Sequence, residues 1–150
     1  MKSGIALAAA LVLSPPAMAQ DRPPVEHIGE PTINGQRLPF SDAVRVGDML
    51  YLSGALGVGP DGKLPAGIEA QTRQTMDNIG AVLKRQGLGF GDVVKCTVML
   101  DNMADWPTFN QVYVTYFPDK KFPARSAFGA DGLALGALVE LECWAFAGKR

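Results

Sequence analysis

Residues 137–147 read ALVELECWAFA, and their alternation decides the architecture. Successive side chains of a strand point to opposite faces. Ala137, Val139, Leu141, Cys143 and Ala145 therefore share one side, and Leu138, Glu140, Glu142, Trp144 and Phe146 share the other. The first set is small and branched, as suits a sheet face covered by helices. The second mixes large apolar groups with two carboxylates, which predicts a face that one chain does not close off.

The helices that would cover the first side lie upstream. In residues 67–86, Ile68, Thr72, Met76, Ile79, Val82 and Leu83 fall near one face at helical spacing, while Gln71, Arg73, Gln74, Asp77 and Lys84 fall mostly on the other. Gly87 stands where a left-handed C-terminal cap is wanted. A second helix is predicted after Asp105, a plausible N-cap, with Pro107 in the first turn and a stripe of Phe109, Val112, Tyr113 and Tyr116 running to Phe117. Between them, DVVKCTVML (92–100) reads as a strand with Val94, Cys96, Val98 and Leu100 on one face. Residues 43–53 read as two short strands around a Gly47-Asp48 turn, in either phase. Residues 124–128 form another short strand.

The predicted elements run β-β-α-β-α-β-β. This is an α+β fold, a mixed sheet with two helices on one face. Burying one large apolar side chain is worth roughly 1.5–3 kcal/mol, so the uncovered face predicts a homo-oligomer. A carboxylate half-buried on that face needs a counter-charge or a chemical role.

The N-terminal region is of another kind. Lys2 precedes an apolar run, Ile5 to Leu13, followed by Ser14-Pro15-Pro16 and Ala17-Met18-Ala19. This is the pattern of a secretory signal peptide over residues 1–19, and the run is too short to span a bilayer. A proline-rich arm (20–37) and one domain (38–150) follow, and the expected location is periplasmic or secreted, with no membrane attachment after cleavage. The 14 basic and 15 acidic residues give no general attraction to nucleic acid. His27 is the single histidine and the spacing of Cys96 and Cys143 matches no metal pattern, so no metal site is expected. Export permits a disulfide, but both cysteines lie in apolar strand patterns and are expected to be buried free thiols.

Several segments taken together resemble the RidA (YjgF) family: MLYLSGALGV (49–58), QTRQTMDNIGAVLK (71–84), VVKCTVML (93–100), FNQVYVTYF (109–117), and above all FPARSAF (122–128) followed by GALVELE (136–142). The likeness spans about residues 38–147. It implies a chorismate mutase-like α/β sandwich, a homotrimer with clefts between subunits, and hydrolysis of reactive enamines and imines such as 2-aminoacrylate and 2-iminopropanoate to a 2-keto acid and ammonia. No cofactor is implied. Carried over by position, Arg125 would hold the substrate carboxylate and Glu140 would position water. Ser53, Asn110 and the backbone of Ala127 would line the cleft, together with Phe40, which stands where the family has a tyrosine. Ala127 stands where cysteine is frequent.

These residue types suit the chemistry. An arginine grips a carboxylate with two parallel, charge-assisted hydrogen bonds. A carboxylate can take the proton of an attacking water, and most of the acceleration would come from positioning. Blander readings stand beside these. Arg125 could be a paired interface arginine and Glu140 its partner. Ser53 could be a turn residue, Asn110 a helix-to-loop clamp, Phe40 plain packing, and Glu142 a structural strand residue. Trp106, Phe109 and Tyr113 read as core. The partner is accordingly an imino or keto acid; the alternative function is a non-catalytic homotrimer of the same fold that binds small carboxylates or a protein.

Overall fold

The computed structural model describes residues 22–33 and 35–149; the predicted signal peptide lies outside them. Nine strands and two α-helices are described: β1 Val25–Ile28, β2 Thr32–Ile33, β3 Gln36–Arg37, β4 Ala43–Val46, β5 Met49–Leu52, β6 Ala55–Leu56, α1 Ile68–Arg85, β7 Val93–Leu100, α2 Trp106–Tyr113, β8 Ala124–Gly129 and β9 Val139–Phe146. The main sheet has the order β1-β4-β5-β9-β7-β8, with β6 pairing β9 beyond the end of β5. Its pairings are antiparallel apart from β7–β8, which is parallel. β2 and β3 form a small separate hairpin, so the predicted arm contributes both this hairpin and an edge strand, β1.

Strand β9 behaves as its alternation dictates. Val139, Leu141, Cys143 and Ala145 are fully buried, while Trp144 is 40% exposed. Both helices lie over the buried side, where Met76, Ile79 and Leu83 of α1 and Phe109 and Tyr113 of α2 join the core. The other side of the sheet is open, with Tyr51 and Trp144 meeting edge to face and Phe128 and Val94 exposed.

Three local readings are corrected. Val94 was grouped on one face with Cys96, Val98 and Leu100, but the register of β7 against β9 shifts between Val93 and Lys95. This irregularity turns Val93 inward and Val94 outward before alternation resumes at Cys96; one extra residue reverses the phase of a strand. Asp105 makes no side-chain cap. Asn102 instead accepts the Ala104 N–H at 3.0 Å, capping a 3₁₀ turn that runs into α2. Gln71, assigned to the solvent face, is buried. Its amide donates to the Pro65 carbonyl at 3.1 Å and its oxygen accepts the Leu138 N–H at 2.8 Å, tying the start of α1 to the start of β9. Leaving such buried partners unmet costs about 1–3 kcal/mol. Gln71→Ala is therefore expected to lower unfolding stability by about that amount in urea titration, and an unchanged midpoint would show the clamp to be dispensable.

Other expectations hold. In 43–53 the phase left open resolves with Ala43, Leu50 and Leu52 buried. Gly87 adopts φ 72°, and its N–H reaches the Lys84 carbonyl while the Leu88 N–H reaches that of Leu83. This is the left-handed helix stop that glycine permits.

The largest correction concerns the cysteines. Cys96 and Cys143 are bonded to each other, with sulfurs 2.06 Å apart. They stand directly opposite on β7 and β9, with Cα atoms 4.1 Å apart. Antiparallel strands alternate wide and narrow pairs, and the narrow pairs bring facing side chains close enough to bridge. Local pattern alone does not show which residues face each other.

Candidate active site

Arg125 lies on β8 opposite Cys96, so its side chain rises on the helix side of the sheet. There it is held by rings of α2. Its guanidinium carbon sits 4.5 Å from the Tyr113 ring centre, 4.6 Å from that of Trp106 and 5.7 Å from that of Phe109. Contact of this kind holds the cation over the ring faces and does not neutralise its charge, so the group keeps its attraction for an anion. No carboxylate of the described residues lies within ion-pair distance of Arg125, although the residue is half-buried. Burial pushes the Tyr113 hydroxyl up to about 12, with the adjacent Arg125 charge pulling the other way, so the ring beneath the cation stays neutral.

Asn110 sits one turn from Trp106 and from Tyr113 on the same helix face, at the i, i+4 and i, i+3 spacings, and is half-buried. Ala127 follows Arg125 by two residues on the same face of β8, opposite Val98. Because β8 ends the sheet order, backbone groups on its outer side have no ladder partner among the described strands. Arg125 and Ala127 thus share the helix-side face of β8, and Asn110 lies on the helix that carries the rings around Arg125.

The second cluster lies at the step between β5 and β6. β5 pairs β9 at Trp144 to Phe146 and β6 pairs it at Glu140 and Leu141, with Ser53 and Gly54 making the step. The Ser53 hydroxyl donates to the Ser41 carbonyl at 2.7 Å, and its backbone N–H to that of Asp42 at 3.0 Å. The Glu140 carboxylate lies over Gly54 so closely that a Cβ at that glycine would collide with it. Glu140 is half-buried beside Glu142. Burial first, and the Glu142 charge second, raise its pKa above the ordinary carboxylate value. Phe40 stands next to Ser53 and Gly54 as a wall of one pocket of about 220 Å³.

Within one chain the two clusters do not meet. Arg125 faces the helices, whereas Glu140, paired with Met99 and Leu56, points to the open side between the inward-facing Val139 and Leu141. The six residues singled out in the sequence thus fall into two groups: Arg125, Asn110 and Ala127 on one, Ser53, Phe40 and Glu140 on the other. The sequence reading missed that Trp106 and Tyr113, taken as core, also seat Arg125. Their spacing around Asn110 is the signal that could have shown it. Gly54, whose bare Cα makes room for Glu140, was missed too.

An α+β sheet with both helices on one side, an arginine held among rings with no counter-ion among the described residues and a raised carboxyl at the strand step are features that suit a small-molecule site. Comparison with known proteins supplies the family. A profile described as Endoribonuclease L-PSP matches residues 34–147. The 2-iminobutanoate/2-iminopropanoate deaminase of Bos taurus is 43% identical over 112 residues, 73% of this chain and 81% of that one. The chloroplastic Reactive Intermediate Deaminase A of Arabidopsis thaliana is 41% identical over 107 residues, and the match spans 57% of its length. A solved structure of a conserved Rid family protein from Yersinia pestis is 36% identical with a TM-score of 0.74, covering 82% of this chain and 99% of that one. The chain belongs to the Endoribonuclease L-PSP family, that is, the RidA (YjgF) family.

Proposed function

We propose that the chain hydrolyses reactive enamines and imines of the 2-aminoacrylate and 2-iminopropanoate type to a 2-keto acid and ammonia. The observation that carries this is the Arg125 guanidinium, stacked on Trp106 and Tyr113 with its edge donors unused by any described carboxylate. Such a group fits the carboxylate of a small imino acid. The names of the Bos taurus and Arabidopsis relatives support the same activity.

Because Arg125 and Glu140 face opposite sides of the sheet, the working cleft is one between copies, the Arg125 cluster of one meeting the Glu140 cluster of the next. The exposed apolar groups of the open face, Tyr51, Val94, Phe128 and Trp144, favour such an assembly, and a homotrimer is the form proposed. The substrate carboxylate lies on Arg125, which fixes the C=N carbon. A water oxygen attacks that carbon as Glu140 takes the water's proton. The nitrogen is protonated and leaves as ammonia, and the carbinol carbon closes to the keto group. The sequence of steps is a hydrolysis and transfers no electrons.

Glu140 can serve as a base only when ionised. Its pKa is raised, so the rate is expected to fall about tenfold per pH unit below that raised value and to level off above it. Glu140→Gln should lower the rate about a hundredfold and abolish this limb. The test generates imines with an amino-acid oxidase and follows their disappearance. Equal inertness of wild type and Glu140→Gln on a broad set of imines sinks the proposal. A non-catalytic carboxylate-binding module is the second reading. Phe40, with no hydroxyl in the cleft, favours it, and it would show as keto-acid binding without turnover. Cleavage of RNA has less support, since 14 basic against 15 acidic residues make no electrostatic footprint for a polyanion. The Cys96–Cys143 disulfide supports a periplasmic or secreted location.

A further inference from the structure

Tyr113 brings to the seat of Arg125 what Trp106 and Phe109 do not, a hydroxyl at the end of a buried ring. The ring packs between Phe109 and Phe117, whose centres lie 5.4 and 4.7 Å away, and a phenylalanine would make those contacts equally. No described residue meets the hydroxyl with full hydrogen-bond geometry, although its oxygen is shut off from solvent. Buried tyrosine hydroxyls ordinarily find a partner. Tyr116, three residues on, has two: its hydroxyl lies 2.8 Å from the Asp77 carboxylate and 3.1 Å from the Arg73 carbonyl. Thr72 and Thr75 of α1 also carry buried hydroxyls without a partner, but a threonine on a helix can turn its hydroxyl to a carbonyl of the preceding turn. A phenol oxygen is fixed in the plane of its ring and has no such recourse. A polar group buried and unbonded opposes folding, so this oxygen calls for another explanation.

The group beside it is the Arg125 guanidinium. Its carbon lies 4.5 Å from the Tyr113 ring centre. It acts on the hydroxyl by its charge and by a hydrogen-bond contact that falls short of full geometry. A guanidinium only donates, and a neutral phenol oxygen can accept. The attraction of a cation to ring faces depends on where the charge sits and little on where its N–H groups point. The three rings therefore place Arg125 and leave its rotation open. An acceptor on one N–H removes that freedom and aims the others, since the five donors form a rigid fork. Loose contacts of this kind often tighten only when substrate is bound.

Resting on the deaminase reading of Arg125, we infer that Tyr113 is a positioning residue: its oxygen accepts one guanidinium N–H, and this fixes the direction in which the remaining donors meet the substrate carboxylate. The hydroxyl reaches the substrate only through Arg125. Tyr113→Phe keeps the ring and removes the oxygen. In the full chain, kcat for 2-iminopropanoate generated in place by an amino-acid oxidase should fall about tenfold. KM should change less than about threefold, because the charge still attracts the carboxylate but no longer aims it. The urea midpoint of the same variant should hold or rise, since an unbonded hydroxyl leaves the core. Thr72→Val removes another unpartnered hydroxyl from the core and should leave both kinetic constants at their wild-type values.

An unchanged kcat in Tyr113→Phe overturns the assignment while the deaminase reading stands. A loss carried by KM alone also overturns it, by making the hydroxyl part of the binding strength and not of the aim. A loss matched by a lowered midpoint, or reproduced by Thr72→Val, overturns it as a matter of packing. If wild type consumes no imine, the deaminase reading fails first and this inference falls with it.

Discussion

Arg125→Ala is expected to lower kcat/KM for imine hydrolysis by about a thousandfold. Two hydrogen bonds to a charged group are lost, each worth about 1.5–3 kcal/mol, together with the orientation they impose on the C=N carbon. Arg125→Lys should recover little, because an ammonium cannot present two parallel donors nor stack flat on Trp106 and Tyr113. The change should barely affect folding. What the variant loses in stability is mainly contact with the half-buried Trp106 and the buried Phe109 and Tyr113 rings, about 0.5–2 kcal/mol. Steady-state kinetics with a thermal melt separates the two quantities. A variant retaining a tenth of wild-type activity would remove Arg125 from the site. A variant that loses its oligomeric state on a sizing column would instead assign Arg125 to an ion pair across the interface.

Glu140 shows the converse balance. Its folded-state pKa is raised, so the native protein holds that proton to higher pH than the unfolded chain does. Its burial costs nothing extra below the ordinary carboxylate range, and stability declines as pH rises through the raised value. Should Glu140→Gln raise stability at neutral pH while lowering activity, the carboxylate would be held there for chemistry and not for the fold. Arg45 behaves differently, since its guanidinium is committed to the Gly47 and Ala147 carbonyls at the sheet end.

How much of this was legible in the sequence depends on the range of the interaction. The faces of β9 could be read because the signal, period two across Val139 to Phe146, is local and depends only on the geometry of an extended chain. The stop at Gly87 is equally local. The outward turn of Val94 was not legible, because it follows from a register shift against β9 that neither strand shows alone. Gln71 looks like a solvent residue until the Leu138 N–H, 67 residues away, is brought to it. The candidate site divides in the same way. Arg125 and Glu140 stand out as charges in apolar strands, but their assignment to opposite faces follows from the pairing of Arg125 with Cys96 and of Glu140 with Met99. The aromatic seat under Arg125 was hidden for another reason: a ring stripe at helical spacing looks the same whether it fills a core or also holds a cation.

Removing the Cys96–Cys143 cross-link is expected to cost about 4 kcal/mol. The bond joins residues 47 apart in sequence, and closing a loop of that length withdraws this much entropy from the unfolded chain. For a domain with about 5–15 kcal/mol of total stability the loss is large. The bridge also fastens two central strands of the sheet, β7 and β9, and both cysteines are fully buried. A reductant added to the folded protein should therefore leave it intact and act only after unfolding. Two comparisons separate the cross-link from packing. Wild type unfolded, reduced and refolded under reductant keeps both sulfurs but not the bond. The Cys96→Ala, Cys143→Ala protein loses the sulfurs too and should be weaker still, by the added cost of the space they filled. Urea titrations of the three forms should give midpoints in the order oxidised, reduced, double alanine. Coincident oxidised and reduced midpoints would show that the bond constrains little. Titration of the unfolded, unreduced chain with a thiol reagent checks the bond itself, since two reactive thiols would mean that these cysteines face each other across the strands unbonded.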